Sequence, residues 1–283
     1  MMWILPLIVA QQNDTSLQSR VQAAVEQSTR KGMEELRASE EQKVIQEAVA
    51  VMDGIARLIT TLEYGSLEDA QRLLDDLVKR TDELGKKYKL EKLPIGATVV
   101  LFIGVEDPDT ARRLVKEAKN YLKRNNIPAA REVLNLLRNE IVVNTAVVPL
   151  NVLKHSLALA KSLMEQGRIK EAIDALNLML ASVETIQTIF PKPIFDAYYL
   201  MATVDEVQQK DKALALELLK VVKRKLELAY VLGYIDRKTY NSLLKQVKEV
   251  EKLVKAGKSG TKRISSLREE MKKSKGEVKG RRK

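Results

Sequence analysis

The stretch of this chain nearest to a catalytic motif is Gly257-Lys258-Ser259. A phosphate-binding loop of the form G-x-x-x-x-G-K-[ST] has the same ending. Its first glycine would fall at position 252, which is Lys252. A helical pattern, not a strand, precedes it. Without the earlier glycine the backbone cannot curl its amides around a phosphate, so the motif is rejected. The one histidine, His155, is spaced with Asn151, Ser162 and Gln166 on the polar side of a helix. That spacing predicts a solvated imidazole rather than a general base. Carboxylates occur as adjacent pairs: Glu34-Glu35, Glu40-Glu41, Asp75-Asp76 and Glu269-Glu270. Adjacent residues on a helix point about 100° apart and do not share a site. The chain has no Cys, which excludes thiolate ligands, disulfides and cysteine nucleophiles. No Glu-x-x-His or His-Glu-x-x-His spacing occurs. The residues therefore point to no catalytic group, no metal and no cofactor. An enzyme would need a pocket of clustered carboxylates between helices.

One charged feature implies a partner. Twelve of the 49 Lys and Arg, and three Glu, fall in residues 255–283, leaving 37 cations against 35 anions before them. The net charge of +11 therefore belongs mostly to a tail. Within it, Lys272, Lys273, Lys275, Lys279, Arg281, Arg282 and Lys283 suit a phosphate backbone or an anionic membrane surface. The bland alternative is a solubilising end. No aromatic residue interleaves them, so base stacking is not suggested.

The elements that would carry these groups are mainly helical. Hydrophobic residues make up 45% of the chain and aromatics only 4%. The core must be aliphatic, a composition that suits packed helices better than a β-sandwich. Residues 1–10, MMWILPLIVA, resemble the apolar part of a truncated export signal, with no basic segment before it. They equally fit a frayed hydrophobic terminus. The run is too short for a bilayer, which takes about 20 residues, so no transmembrane helix is expected. A polar helical segment is expected over 11–43 and a helical domain over 44–256. A flexible basic tail follows over 257–283, with a short helix near 264–273.

Ser66, Asp107 and Asp236 are helix N-caps by type and position. The segment 95–104 is β-branched and glycine-bounded, and predicts a strand. Residues 141–148 read either as a second strand or as an irregular entry to the next helix. Met33, Met52, Met164, Met179 and Met201 sit in or beside apolar stripes and predict core filling.

Three helix–helix junctions share one pattern, beginning at Leu62, Leu122 and Met164. Gly65, Asn125 and Gly167 would end a helix in the left-handed conformation. Leu67, Ile127 and Ile169 would plug the turn. Ala70, Ala130 and Ala172 would let the two helices approach closely. The pattern resembles the hairpin junction of tetratricopeptide repeats. The junctions lie 60 and then 42 residues apart, whereas that array has a constant period of about 34. The expected fold is therefore antiparallel helical hairpins without a regular solenoid.

These junctions and their flanks resemble the YfdX family. The stretches that carry the likeness are LEYGSLEDAQRLLDDL (62–77), ARRLVKEAKNYLKRNNIPAAREVLNLLRNEIVV (111–143), NTAVVPLNVLKHSLALAKSLMEQGRIKEAIDAL (144–176) and LELAYVLGYIDRKTYNSLLKQVKEVEKLVKAGK (226–258). The likeness extends over about 44–273. It implies a mostly helical, soluble bacterial or archaeal protein, often exported. It also implies a stress-linked, chaperone-like role and oligomerisation. No reaction or catalytic residue comes with it. The expectation is a non-enzymatic protein that binds partner or client proteins, in the periplasm or otherwise exported, with the cytoplasm as alternative. The rival is a nucleic-acid or anionic-surface binder acting through the tail.

Overall fold

A computed structural model describes residues 5–274, with side chains from 16 to 273. Among these are eleven helices: α1 (Leu5–Gln42), α2 (Gln46–Tyr64), α3 (Leu67–Tyr88), α4 (Pro108–Lys123), α5 (Ile127–Leu136), α6 (Leu150–Glu165), α7 (Ile169–Leu180), α8 (Lys192–Val207), α9 (Lys212–Val231), α10 (Arg237–Lys255) and α11 (Thr261–Ser274). Three strands, β1 (Lys92–Phe102), β2 (Glu140–Pro149) and β3 (Glu184–Pro191), form a small antiparallel sheet in that order. None of the helices is long and apolar enough to cross a membrane, among the described residues.

Local chemistry explains most boundaries. The Ser66 hydroxyl oxygen accepts from the Asp69 amide at 3.1 Å and starts α3. Asp107 accepts from Thr110 at 2.9 Å and Asp236 from Thr239 at 2.7 Å, starting α4 and α10. The segment 141–148 is strand, not irregular entry. Helix α3 passes Gly85 and runs to Tyr88, and Lys89 ends it in the left-handed region. A third strand, β3, has no strong signature in its sequence.

The chain divides into two interleaved compact units, where the sequence suggested one domain over 44–256. One unit comprises Arg37–Val99 and Val143–Thr188. Here α2 packs on α3 and α7, α3 on α6, and α6 on α7. The stripe Ala48, Val51, Ile55, Leu58 of α2 and the stripe Ala70, Leu74, Leu77, Leu84 of α3 are buried with Leu153, Leu157, Leu176 and Met179. Each such leucine or isoleucine contributes about 1.5–3 kcal/mol by leaving water.

The other unit comprises Met1–Leu36, Val100–Val142 and Ile189–Lys283. Helix α8 packs on α9 and α11, α10 packs on α9 and α11, and α4 packs on α5 and α9. Its core holds Leu200, Met201, Val204, Leu218, Val222, Leu226, Leu243 and Val247. Ile264, Leu267 and Met271 of α11 are buried in that core, so the flexible tail expected from 257 onward does not begin there. Met33, Met164, Met179 and Met201 are buried and Met52 is half-buried.

Candidate functional site

The three junctions differ from one another. Asn125 (φ 56°) and Gly167 (φ 73°) adopt the left-handed conformation, which non-branched, short or absent side chains tolerate. Gly65 does not: its φ is −106°, and the backbone is extended. Its glycine serves space instead, since a Cβ there would lie 2.8 Å from the Thr61 carbonyl oxygen. Ala70, Ala130 and Ala172 are buried where their helices meet. Of the three plugs, Ile169 packs half-buried against the core, whereas Leu67 and Ile127 are exposed.

Of the tail residues, Lys272 and Lys273 are exposed on α11. Lys275, Lys279, Arg281, Arg282 and Lys283 lie outside the described residues, as do residues 1–4 of the apolar N-terminal run. His155 is exposed on α6, and Gly257 ends α10 with φ 67°.

A polar cluster that no spacing in the sequence announced lies in the unit containing α8 and α9. Lys192 and Asp196 stand one turn apart on α8, joined at 2.8 Å. Lys225 of α9 reaches the same Asp196 oxygen at 2.9 Å. Glu106, in the loop after β1, meets Lys192 at 2.7 Å and Lys225 at 3.3 Å. The Thr29 hydroxyl of α1 donates to the other Asp196 oxygen at 3.4 Å. Asp196 is 1% exposed and both ammoniums are nearly buried, while the Glu106 side chain is 48% exposed. Two cations and two anions balance. One signal was present in the sequence: Asp196 is a lone charge inside the apolar run Ile194–Met201.

Burial alone would lower the Lys192 ammonium. Asp196 and Glu106 more than offset it and hold the group above its usual range. A lysine nucleophile needs the opposite shift. The cluster therefore acts as an ionic tie between α8, α9 and the loop before α4. Burial would likewise raise the Glu106 carboxyl, but Lys192 and Lys225 hold it below its usual range.

A pH dependence follows with a definite sign. The Lys192 contribution is complete below about pH 10.5, its unfolded value, and is lost as pH rises through the raised folded value. The Glu106 contribution is complete above about pH 4.5 and is lost as pH falls through the lowered folded value. Urea midpoints measured against pH should show a plateau between these limits. Glu106→Gln should make the acid limb shallower, and an unchanged acid limb would refute the assignment.

The loop that carries Glu106 is tightly held. A Cβ on Gly104 would lie 2.6 Å from the carbonyl oxygens of both Leu136 and Arg138, so only glycine fits. The Val105 amide donates to Leu136 at 3.0 Å, and Asn139 Nδ2 donates to Val105 at 3.0 Å. The Lys192 amide donates to Asn139, whose own amide donates to the Tyr234 hydroxyl. Burial first, and Glu140 with it, push that phenol up to about 12. Arg138 stacks on Phe102, 3.4 Å from the ring centroid.

Around this frame lies an exposed apolar surface. Of fourteen large hydrophobic residues exposed among the described residues, seven fall in 100–136. They are Val100, Leu101, Ile103, Leu122, Ile127, Leu134 and Leu136, with Ile103 66% and Leu136 56% exposed. The Val105–Leu136 hydrogen bond brings the backbones beside Ile103 and Leu136 together. Helix α5 has ten residues and buries only Ala130 and Val133 among them. Its remaining leucines have no core to enter. Half of the exposed large hydrophobic residues among the described residues are thus concentrated in this one segment.

No curated protein matches this chain. Among solved structures, one of Salmonella Typhi YfdX is similar at 16% identity, covering 52% of this chain and 91% of that one, with a TM-score of 0.35. The family model described as YfdX protein matches residues 64–188. That span is narrower than the 44–273 over which the resemblance was drawn, and it leaves out the stretch at 226–258. It runs from the end of α2 into β3 and includes the whole apolar segment 100–136 and all three junction alanines. Residues 64–188 of this chain are therefore similar to the YfdX family.

Proposed function

We propose that this protein is a non-enzymatic interaction protein that binds partner or client proteins through the apolar surface formed by the end of β1 and by α5. The observation that carries the reading is the concentration of exposed hydrophobic residues in 100–136. The loop beneath it is fixed by Gly104, Asn139 and the Glu106 cluster, so the surface is presented without an ordering cost. A stress-related, chaperone-like role and homo-oligomerisation are consistent with a surface of this kind. Export is part of the same reading and rests on residues 1–10. The mature N-terminus in the native host tests it: cleavage near Ala10 supports export, and an intact Met1 or Met2 argues against it.

The binding reading is tested by aggregation of a thermally unfolding model enzyme. The protein should suppress light scattering at a near-stoichiometric ratio without nucleotide. The triple variant Ile103→Ser, Leu134→Ser, Leu136→Ser should lose most of that suppression while keeping its melting temperature within a few degrees, because all three side chains are already exposed. If the parent does not suppress aggregation, the client version fails. If the variant suppresses as well as the parent, another surface is responsible.

A further inference from the structure

The turn between α4 and α5 combines exposed cations with exposed apolar side chains. From residue 118 to 131 the chain carries Lys119, Lys123, Arg124 and Arg131, and no acidic residue. All four cations are exposed, and none makes an ion pair among the described residues. Some other surface cations are paired, among them Arg112, on the same helix α4, with Glu227, and Lys154 with Asp82, Lys161 with Asp75 and Arg168 with Glu171 elsewhere.

The turn is held in one shape. Asn125 takes the left-handed conformation, the Asn126 amide donates to the Tyr121 carbonyl at 2.9 Å, and the Asn126 side chain caps α5 by accepting from Ala129 at 3.2 Å. Residues 122–128 are all exposed, which makes the turn a projection and not a groove. Leu122 and Ile127 stand on either side of it, about half exposed.

We propose that this tip docks on an anionic phospholipid bilayer. A projecting turn has no concavity to seat the side chains of a peptide, but it suits a deformable surface. Leu122 and Ile127 would enter the boundary between headgroups and acyl chains. Lys119, Lys123, Arg124 and Arg131 would pair with lipid phosphates, their stems lying along the apolar layer. The proposal shares Leu122 and Ile127 with the exposed apolar segment 100–136 but uses none of Ile103, Leu134 or Leu136, so the variants at the two places separate membrane docking from client binding.

The test is sedimentation of the full chain with vesicles. Binding is expected to vesicles of phosphatidylcholine containing about one-third phosphatidylglycerol, and to weaken as salt screens the surface. Pure phosphatidylcholine should not bind. Lys123→Gln with Arg124→Gln should lower partitioning about 30-fold, from ~1 kcal/mol for each cation near the surface. Leu122→Ser with Ile127→Ser should remove the binding that survives at high salt. A variant with Lys275, Lys279, Arg281, Arg282 and Lys283 all changed to Gln should retain the 30-fold sensitivity to the tip substitutions. The proposal is overturned if both lipids bind equally, or if the tip variants sediment like the parent. Binding to polyglutamate or RNA with none to the anionic vesicles overturns it as well.

Discussion

Replacing Asp196 by alanine is expected to lower the unfolding free energy by about 3–5 kcal/mol, the usual consequence of removing one partner from a buried ion pair. Asp196 holds Lys192 at 2.8 Å and Lys225 at 2.9 Å, and it is the more deeply buried of the two anions. Without it, two nearly buried ammoniums face the single, half-exposed Glu106. The double variant Lys192→Met, Asp196→Leu should recover most of the loss. It removes one charge of each sign, leaves Lys225 with Glu106 at 3.3 Å, and replaces the pair by apolar groups of similar volume. Urea denaturation measures both. A single variant within about 1 kcal/mol of the parent would show that water enters the cluster and screens it. A double variant no better than the single would show that shape, not charge balance, holds the site.

Leu267→Ala should destabilise the protein by about 2–5 kcal/mol, the range for a buried leucine cut back to Cβ. Leu267 is fully buried, with Ile264 and Met271 on the same face of α11. Polar groups fix the helix in place. The Gly260 amide donates to Gln208 at 2.8 Å, Thr261 to Asp205 at 2.8 Å, and Ser242 to Glu270 at 2.7 Å. Arg268 lies over the Tyr198 ring, 4.2 Å from its centroid. In a flexible tail the same substitution would change nothing, because a side chain in water has no packing to lose. Denaturant unfolding followed by circular dichroism separates the two outcomes, with Lys262→Ala, at an exposed position on the same helix, expected to have an effect within about 0.5 kcal/mol.

The basic composition of residues 257–283 hides this packing. Three apolar residues among many lysines and arginines look like a solvated segment, yet their spacing of three and four places them on one helical face. Whether such a stripe is buried depends on a partner surface, here α8 and α10, that is distant in sequence. The third strand was hidden for a related reason. Its residues are mixed in polarity and none before Pro191 is fully buried. Its identity comes from pairing with β2, as in the Gln187–Asn144 hydrogen bond at 2.8 Å. The plug positions show the same limit. Leu67 and Ile127 match the pattern in type, but their side chains stay in solvent because nothing crosses the turn to cover them.

What the sequence determined by itself was local. Caps at Ser66, Asp107 and Asp236, the left-handed turns at Asn125 and Gly167, the buried alanines, and the 3.6-residue stripes depend on neighbours within a turn or two of helix. The tertiary structure alone decided which distant charges meet and which apolar side chains remain outside. Glu106, Lys192 and Lys225 come from three separate segments, and their attraction becomes a structural tie only where the packing of α8 against α9 excludes water around Asp196. Leu134 and Leu136 are indistinguishable in type from core leucines. They are left exposed because the short helix α5 offers its Ala130 and Val133 to the interior and turns the rest away.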